Sequence, residues 1–189
     1  SYQNSASSIM QAKYLKFIED ILIAPLSGLQ VSLGYIIGGA MRGLICGLGI
    51  LIMCIILSEI PNAQGDFNIK NWPLTILYLL TVSWTFSAFG VIIGIIAKSW
   101  DEIGSFSNFI FMPMTFLGGV FYSVDMLSEP WRTVSYFNPI YWMISGLRYS
   151  TLNIGEDLNL ISLFLCISFS CLFTIIASYF FKTGYKIKS

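Results

Sequence analysis

The groups that could do chemistry in this chain are four cysteines, three arginines, seven lysines and ten carboxylates, with no histidine among 189 residues. The missing histidine removes the commonest general base and metal ligand. Cys46, Cys54, Cys166 and Cys171 all lie inside apolar runs, and their spacings match no CxxC or zinc pattern. They read as small residues facing lipid or core. No carboxylate lies inside an apolar run, so no acid/base pair is available at membrane depth. No G-x-x-x-x-G-K-[ST] loop is present to cradle nucleotide phosphates. A net charge of zero provides no basic field for nucleic acid. Three sets of polar groups remain. Arg42 interrupts an apolar run, Glu19 and Asp20 precede Pro25, and Arg132 and Arg148 flank a break at Asn138-Pro139.

The elements that position these groups must be membrane-embedded. The chain is 56% hydrophobic and 11% charged, against about 25% charged in soluble domains. Runs at 33–57, 74–97, 103–124 and 158–181 are each long enough to cross about 30 Å of hydrocarbon as a helix. The expected class is therefore an all-α polytopic membrane protein, with 1–189 as one membrane domain. With an even number of spans, Lys13, Lys16, Lys98, Lys182, Lys186 and Lys188 share one side, and Lys70, Arg132 and Arg148 the other. That excess places both termini in the cytoplasm. Arg42 lies about a third of the way into the first span. It either snorkels to the cytoplasmic face or points into the bundle, since no span carries an acidic partner. Gly39, Gly43 and Gly47 in the first span, and Ser83, Ser87, Gly90 and Gly94 in the second, allow close helix packing.

Residues 10–32 form a cytoplasmic lead-in. Tyr14, Leu15, Phe17, Ile18, Ile21, Leu22 and Ile23 fall largely on one helical face, and Lys13, Lys16, Glu19 and Asp20 on the other. Pro25 ends that helix, and Ser27-Gly28 starts a second short one. Such a segment either lies on the bilayer or is presented to a partner. Residues 128–153 pose the opposite problem: they are aromatic and apolar, yet cut at Asn138-Pro139. Helices of about 14 and 20 Å follow from the break, and neither crosses a bilayer. A re-entrant pair dipping in from the outer face fits, with a loop lying flat on the surface as the alternative.

The stretch "FLGGVFYSVDMLSEPWRTVSYFNPIYWMISGLRYSTLN" resembles the signature region of ABC-2-type transport permeases through Gly118, Gly119, Phe121, Asn138, Pro139, Leu147 and Arg148. "IEDILIAPLS" is similar to the family's cytoplasmic loop, and Arg42–Leu44 and Asp101–Ile103 fit as well. The resemblance implies that the four spans are the third to sixth of a six-span permease whose N-terminal part is not in this sequence. It implies a permease dimer in the bacterial inner membrane, with the C-terminus cytoplasmic, acting in export. A separate cytoplasmic ATPase subunit would bind ATP and Mg, leaving this chain without a cofactor and without enzymatic activity of its own. Glu19, Asp20, Leu22, Pro25 and Leu26 would then form the coupling helix that docks on the ATPase. Arg42, Gly118, Gly119, Phe121, Asn138, Pro139 and Arg148 would line or gate the translocation path. A membrane enzyme lacks its acid/base groups here. A passive channel or secondary carrier, or a non-transporting assembly subunit, are the other readings. Cargo is unassigned; the Phe- and Met-rich stretch 106–121 suits apolar or aromatic cargo, or is simply bulk.

Overall fold

A computed structural model describes residues 1–17, 26–59, 69, 71–122, 124–152 and 159–184. All regular structure among them is helical. Helix α1 is Tyr2–Tyr14, α2 Gly28–Ser58 and α3 Trp72–Ile96. Next come α4 Trp100–Phe106, a π-turn at Ser107–Phe111, and α5 Met112–Leu117. After a 3-10 turn at Val124–Met126 follow α6 Glu129–Phe137, α7 Pro139–Leu152 and α8 Asn159–Thr183. Among the described residues, three helices are long and apolar enough to cross a membrane: α2, α3 and, from Leu160, α8.

Helix α2 begins earlier than its hydropathy suggests because of its cap. The Ser27 hydroxyl accepts from the Gln30 backbone N–H at 3.3 Å, and the Gln30 side-chain oxygen accepts from the Ser27 N–H at 2.9 Å. This capping box satisfies two otherwise orphaned donors. The short helix expected after Ser27 is therefore the first turns of the span itself, and the whole element is 31 residues.

Helix α3 is the hub. Tyr78, Ala88, Val91 and Ile95 along it are fully buried, and α1, α2, α7 and α8 all pack on it. Its packing on α1 and α2 depends on a hydroxyl junction. Ser87 donates to the Ile36 carbonyl at 2.7 Å, and the Ser5 hydroxyl lies 2.7 Å from that of Ser87. A Cβ at Gly39 would sit 1.9 Å from Ser5 Oγ and 2.4 Å from Ser87 Oγ, so only glycine fits there. The same face carries Gly43 against Ser83 and Gly47 against Leu79. The small residues of the first two spans thus pack within the chain.

The run expected to span at 103–124 is interrupted. It is built from α4, the π-turn and α5, and ends at Leu117. Pro113 has no N–H to offer the Phe109 carbonyl, and the π-turn ends two residues before it. The π-turn aims the Phe111 ring inward, where it meets Tyr2 at 4.7 Å and Phe86 and Phe89 at 5.4 Å. Gly119, at φ +77°, ends the helical path.

Candidate functional site

Two groups of polar residues stand out, one around Asn138 and Arg148 and one around Arg42. The first gathers the residues around the break. Asn138 is buried, and its amide serves two elements at once. Nδ2 donates to the Met114 carbonyl at 2.5 Å, one turn before the end of α5. Oδ1 accepts from the Ile140 N–H at 3.0 Å and so caps α7. Arg148 Nη2 donates to the Gly119 carbonyl at 2.8 Å, in the turn that glycine's positive φ creates. Gly118 leaves room for Ile140 and Ile144, which a Cβ would meet at 3.3 and 3.0 Å. Gly118, Gly119, Asn138, Pro139 and Arg148 therefore form one connected lock between α5 and α7. Phe121 is 73% exposed and takes no part in it. The break rests on the Asn138 amide as well as on Pro139.

The lock fixes where α7 runs. Gly146 lies on the Tyr78 ring, where a Cβ would come within 2.2 Å of it. The Tyr78 hydroxyl is itself 2.6 Å from that of Ser162 on α8. Four residues on, the Ser150 carbonyl accepts from Asn71 N–H at 3.4 Å, at the very start of α3. Helix α7 thus advances toward the Trp72 end of α3, and Asn138 lies on the inner side of Gly146.

The second group surrounds Arg42. Its neighbour Gly43 faces Ser83, which lies eleven residues from Trp72 and thirteen from Ile96 in α3. These separations are about 16 and 20 Å along the helix. Arg42 is therefore level with the middle of α3. Its Nη1 donates to Asn4 Oδ1 of α1 at 2.5 Å. No carboxylate among the described residues pairs with it. Arg42 does not point into the packed core. It borders a cleft of about 590 Å³ lined by Ser1, Gln3, Asn4, Ser7, Trp100 and Gly104.

The polar wall of the cleft comes from α1, which is two-faced. Tyr2, Ser5, Ala6, Ile9 and Met10 are buried against α3 and its neighbours. Gln3, Asn4, Ser7, Ser8 and Gln11 form the opposite face. The Ser7 and Ser8 hydroxyls donate back to the Gln3 and Asn4 carbonyls of α1 and Asn4 accepts from Arg42; the amide groups left over on this face would be costly against lipid tails. The cleft runs toward the end of the bundle that carries Lys13, Lys98 and Lys182. There Lys13 Nζ donates to the Ile95 carbonyl and, at 3.2 Å, to that of Ala97, capping the C-terminus of α3. Tyr14 stacks on Trp100 with ring centroids 6.4 Å apart.

Of the expected coupling residues, Glu19, Asp20, Leu22 and Pro25 lie outside the described residues, and Leu26 is exposed just before the α2 cap. Gln3, Asn4 and Ser7 were not expected as site residues. Their signal is the four-residue spacing of Gln3, Ser7 and Gln11 and of Asn4 and Ser8, opposite an apolar face. The cysteines divide between surface and core, with Cys46 and Cys171 exposed and Cys166 buried.

Residues 1–152 match the family described as ABC-2 type transporter. The chain is 39% identical over 156 residues to the inner membrane transport permease YadH of Escherichia coli K12, an alignment covering 82% of this chain and 58% of that protein. The proteins of that name in Escherichia coli O157:H7 and Shigella flexneri match to the same extent. The chain thus spans 58% of the length of these curated relatives. No solved structure matches it. The match takes in both the Arg42 cleft and the lock at Asn138 and Arg148, and the chain belongs to the ABC-2 type transporter family.

Proposed function

We propose that this chain is the membrane-spanning permease part of an ABC exporter, driven by a separate ATPase subunit and working with a second permease copy. The observation that carries this reading is Arg42 with Asn4 at mid-depth, in a polar cleft, on a chain of the ABC-2 type family. An arginine paired only to a neutral amide in hydrocarbon costs ~3 kcal/mol on insertion scales. It is tolerable where water or polar cargo reaches it. The positive-inside excess places the lysine-bearing end in the cytoplasm, so the cleft opens inward.

In this reading the helical path from Trp100 to Leu117 acts as a fourth span. Helices α6 and α7, of 9 and 14 residues, are about 14 and 21 Å long and too short to cross. They act as a re-entrant pair capping the outer mouth, a role supported by the outward course of α7 along α3. Glu19, Asp20, Leu22, Pro25 and Leu26, between α1 and α2 in the sequence, couple the permease to the ATPase. Because α1 is bound to α3 through Ser5, Lys13 and the Tyr2 hydroxyl on the Ile103 carbonyl, a push on these residues moves α1, α3 and α4 as one body.

The test uses the full-length protein reconstituted with its ATPase. Reversing the charges of Glu19 and Asp20, or Pro25→Leu, is expected to abolish stimulation of ATP hydrolysis by the permease while leaving membrane insertion intact. Unchanged stimulation would overturn the coupling role.

A further inference from the structure

We infer that the π-turn at Ser107–Phe111, with Pro113 after it, is a joint on which the unit α5–α6–α7 tilts against the unit α1–α3–α4. Directional bonds hold each unit together from within. In the α1–α3–α4 unit, the Ser5 hydroxyl meets that of Ser87, Lys13 caps α3, and the Tyr2 hydroxyl donates to the Ile103 carbonyl of α4 at 3.0 Å. Ile103 is buried there with Ile93 and Ala97. In the α5–α6–α7 unit, Asn138 donates to the Met114 carbonyl and Arg148 to that of Gly119. Helix α4 packs on α1, whereas α5 packs on α6 and α7. The path from Trp100 to Leu117 therefore passes from one unit to the other between Phe111 and Met114. The Phe111 ring still rests on Tyr2, Phe86 and Phe89, and Met114 is already held by Asn138.

The backbone at that crossing is poorly bonded. The Met112 N–H donates to the Ser107 carbonyl, five residues back rather than four. Pro113 supplies no N–H at all. A π-turn holds one residue more than an α-turn, so its bonds can pass to an α pattern while the helix beyond it rotates. Sharp bends in long helices collect at such turns and at proline. The surface on which the α5–α6–α7 unit leans is apolar. Met143 and Leu147 of α7 pack with Tyr78, Cys166 and Leu163, and Gly146 lets α7 lie directly on the Tyr78 ring. The bond from the Asn71 N–H to the Ser150 carbonyl, farther along α7, is long at 3.4 Å. Apolar packing is non-directional, so it tolerates a tilt that the bonds inside each unit resist. The inference rests on the permease reading for what drives the tilt, a push at Glu19–Leu26, and not for the joint itself.

The experiment uses the full-length permease in phosphatidylcholine nanodiscs, first without ATPase or nucleotide. Hydrogen exchange is read at 107–115 and at the flanking segments 101–106 and 140–146. In wild type the joint is expected to exchange at least about 10-fold faster than either flank, the value of one hydrogen bond; equal exchange would overturn it. Pro113→Ala returns the missing N–H and is expected to slow exchange at 107–115 by about 10-fold; an unchanged rate would overturn the joint. Deletion of Ile110 removes the extra residue of the π-turn. It is expected to bring 107–115 to the rate of α4 while Ile140–Met143, beside the lock, keeps the wild-type rate. Where the deletion does not insert, Pro113→Ala and the wild-type comparison carry the test. ATPase is then added. Both variants are expected to stimulate ATP hydrolysis at least about 10-fold less than wild type, since the same bond stiffens the joint. Wild-type stimulation by either would make the π-turn a static bulge and overturn the joint. If wild type itself gives no stimulation, the permease reading fails, and the exchange comparison still decides the joint.

Discussion

Substituting Asn138 separates two roles that a simple capping residue does not combine. Asn138→Ala removes the bond to Met114 and the cap on Ile140 together. The Met114 carbonyl still accepts from the Gly118 N–H at 2.8 Å, so it is not orphaned. The Ile140 N–H is buried at the start of α7 and loses its acceptor. Loss of a cap costs about 1 kcal/mol, and loss of the donated bond about 1 kcal/mol more. A total of about 2 kcal/mol corresponds to roughly a 30-fold shift in a local opening equilibrium. Asn138→Asp is the informative partner. It keeps the cap acceptor, and aspartate ranks with asparagine at helix N-termini. It loses the donor and sets a carboxylate against the Met114 carbonyl. Hydrogen exchange in nanodiscs is the assay, read at Ile140–Met143 and at 114–122. Asn138→Ala is expected to exchange about 30-fold faster than wild type over both segments, and Asn138→Asp, which keeps the cap, at least about 5-fold faster. If Asn138→Asp exchanges like wild type, the amide is only a cap, and the lock between α5 and α7 does not exist.

Two further outcomes follow from the same geometry. Arg148→Gln removes the guanidinium held on Gly119 and is expected to speed exchange at 119–122 by roughly 10-fold, a loss of about 1–2 kcal/mol; Arg148→Ala showing wild-type protection would refute the contact. Gly39→Ala forces two buried hydroxyls apart and is expected to destabilise by about 1–3 kcal/mol, whereas Gly38→Ala, with nothing near its added methyl, is expected to stabilise by up to about 1 kcal/mol. Thermal unfolding in detergent checks the pair, and equal effects at the two positions would contradict the close approach of α1, α2 and α3.

Much of the architecture is legible because lipid makes hydropathy decisive. The apolar runs, the break at Asn138-Pro139 and the glycine-serine faces all follow from local rules. What escaped has physical reasons. Residues 2–9 carry Gln3, Asn4, Ser5, Ser7 and Ser8, and average hydropathy hides a helix whose two faces differ this sharply. Arg42 looks shallow when α2 is started at Leu33; the Ser27–Gln30 cap, which hydropathy does not weigh, carries the helix back to Gly28. The run 103–124 looks continuous because Gly118 and Gly119 are apolar by composition, yet Gly119 turns the chain. The long-range bonds of Asn138 to Met114 and of Arg148 to Gly119 span 24 and 29 residues, beyond the reach of any local pattern.

In the proposed function the Arg42 cleft is a water-filled part of the transport path, and it closes when the partner ATPase is trapped with nucleotide. Thiol accessibility at Ser7 tests it most directly, since only an ionised thiol in water reacts readily. In full-length protein with every cysteine, Cys46, Cys54, Cys166 and Cys171 among them, replaced by alanine, Ser7→Cys is labelled with a membrane-impermeant methanethiosulfonate, alongside Ile52→Cys at an exposed apolar position of α2. The protein is reconstituted with its ATPase, with and without vanadate-trapped nucleotide. Permease function predicts fast labelling at Ser7→Cys that slows in the trapped state, and little labelling at Ile52→Cys in either. Labelling at Ser7→Cys that is as slow as at Ile52→Cys, or that ignores nucleotide, would contradict it.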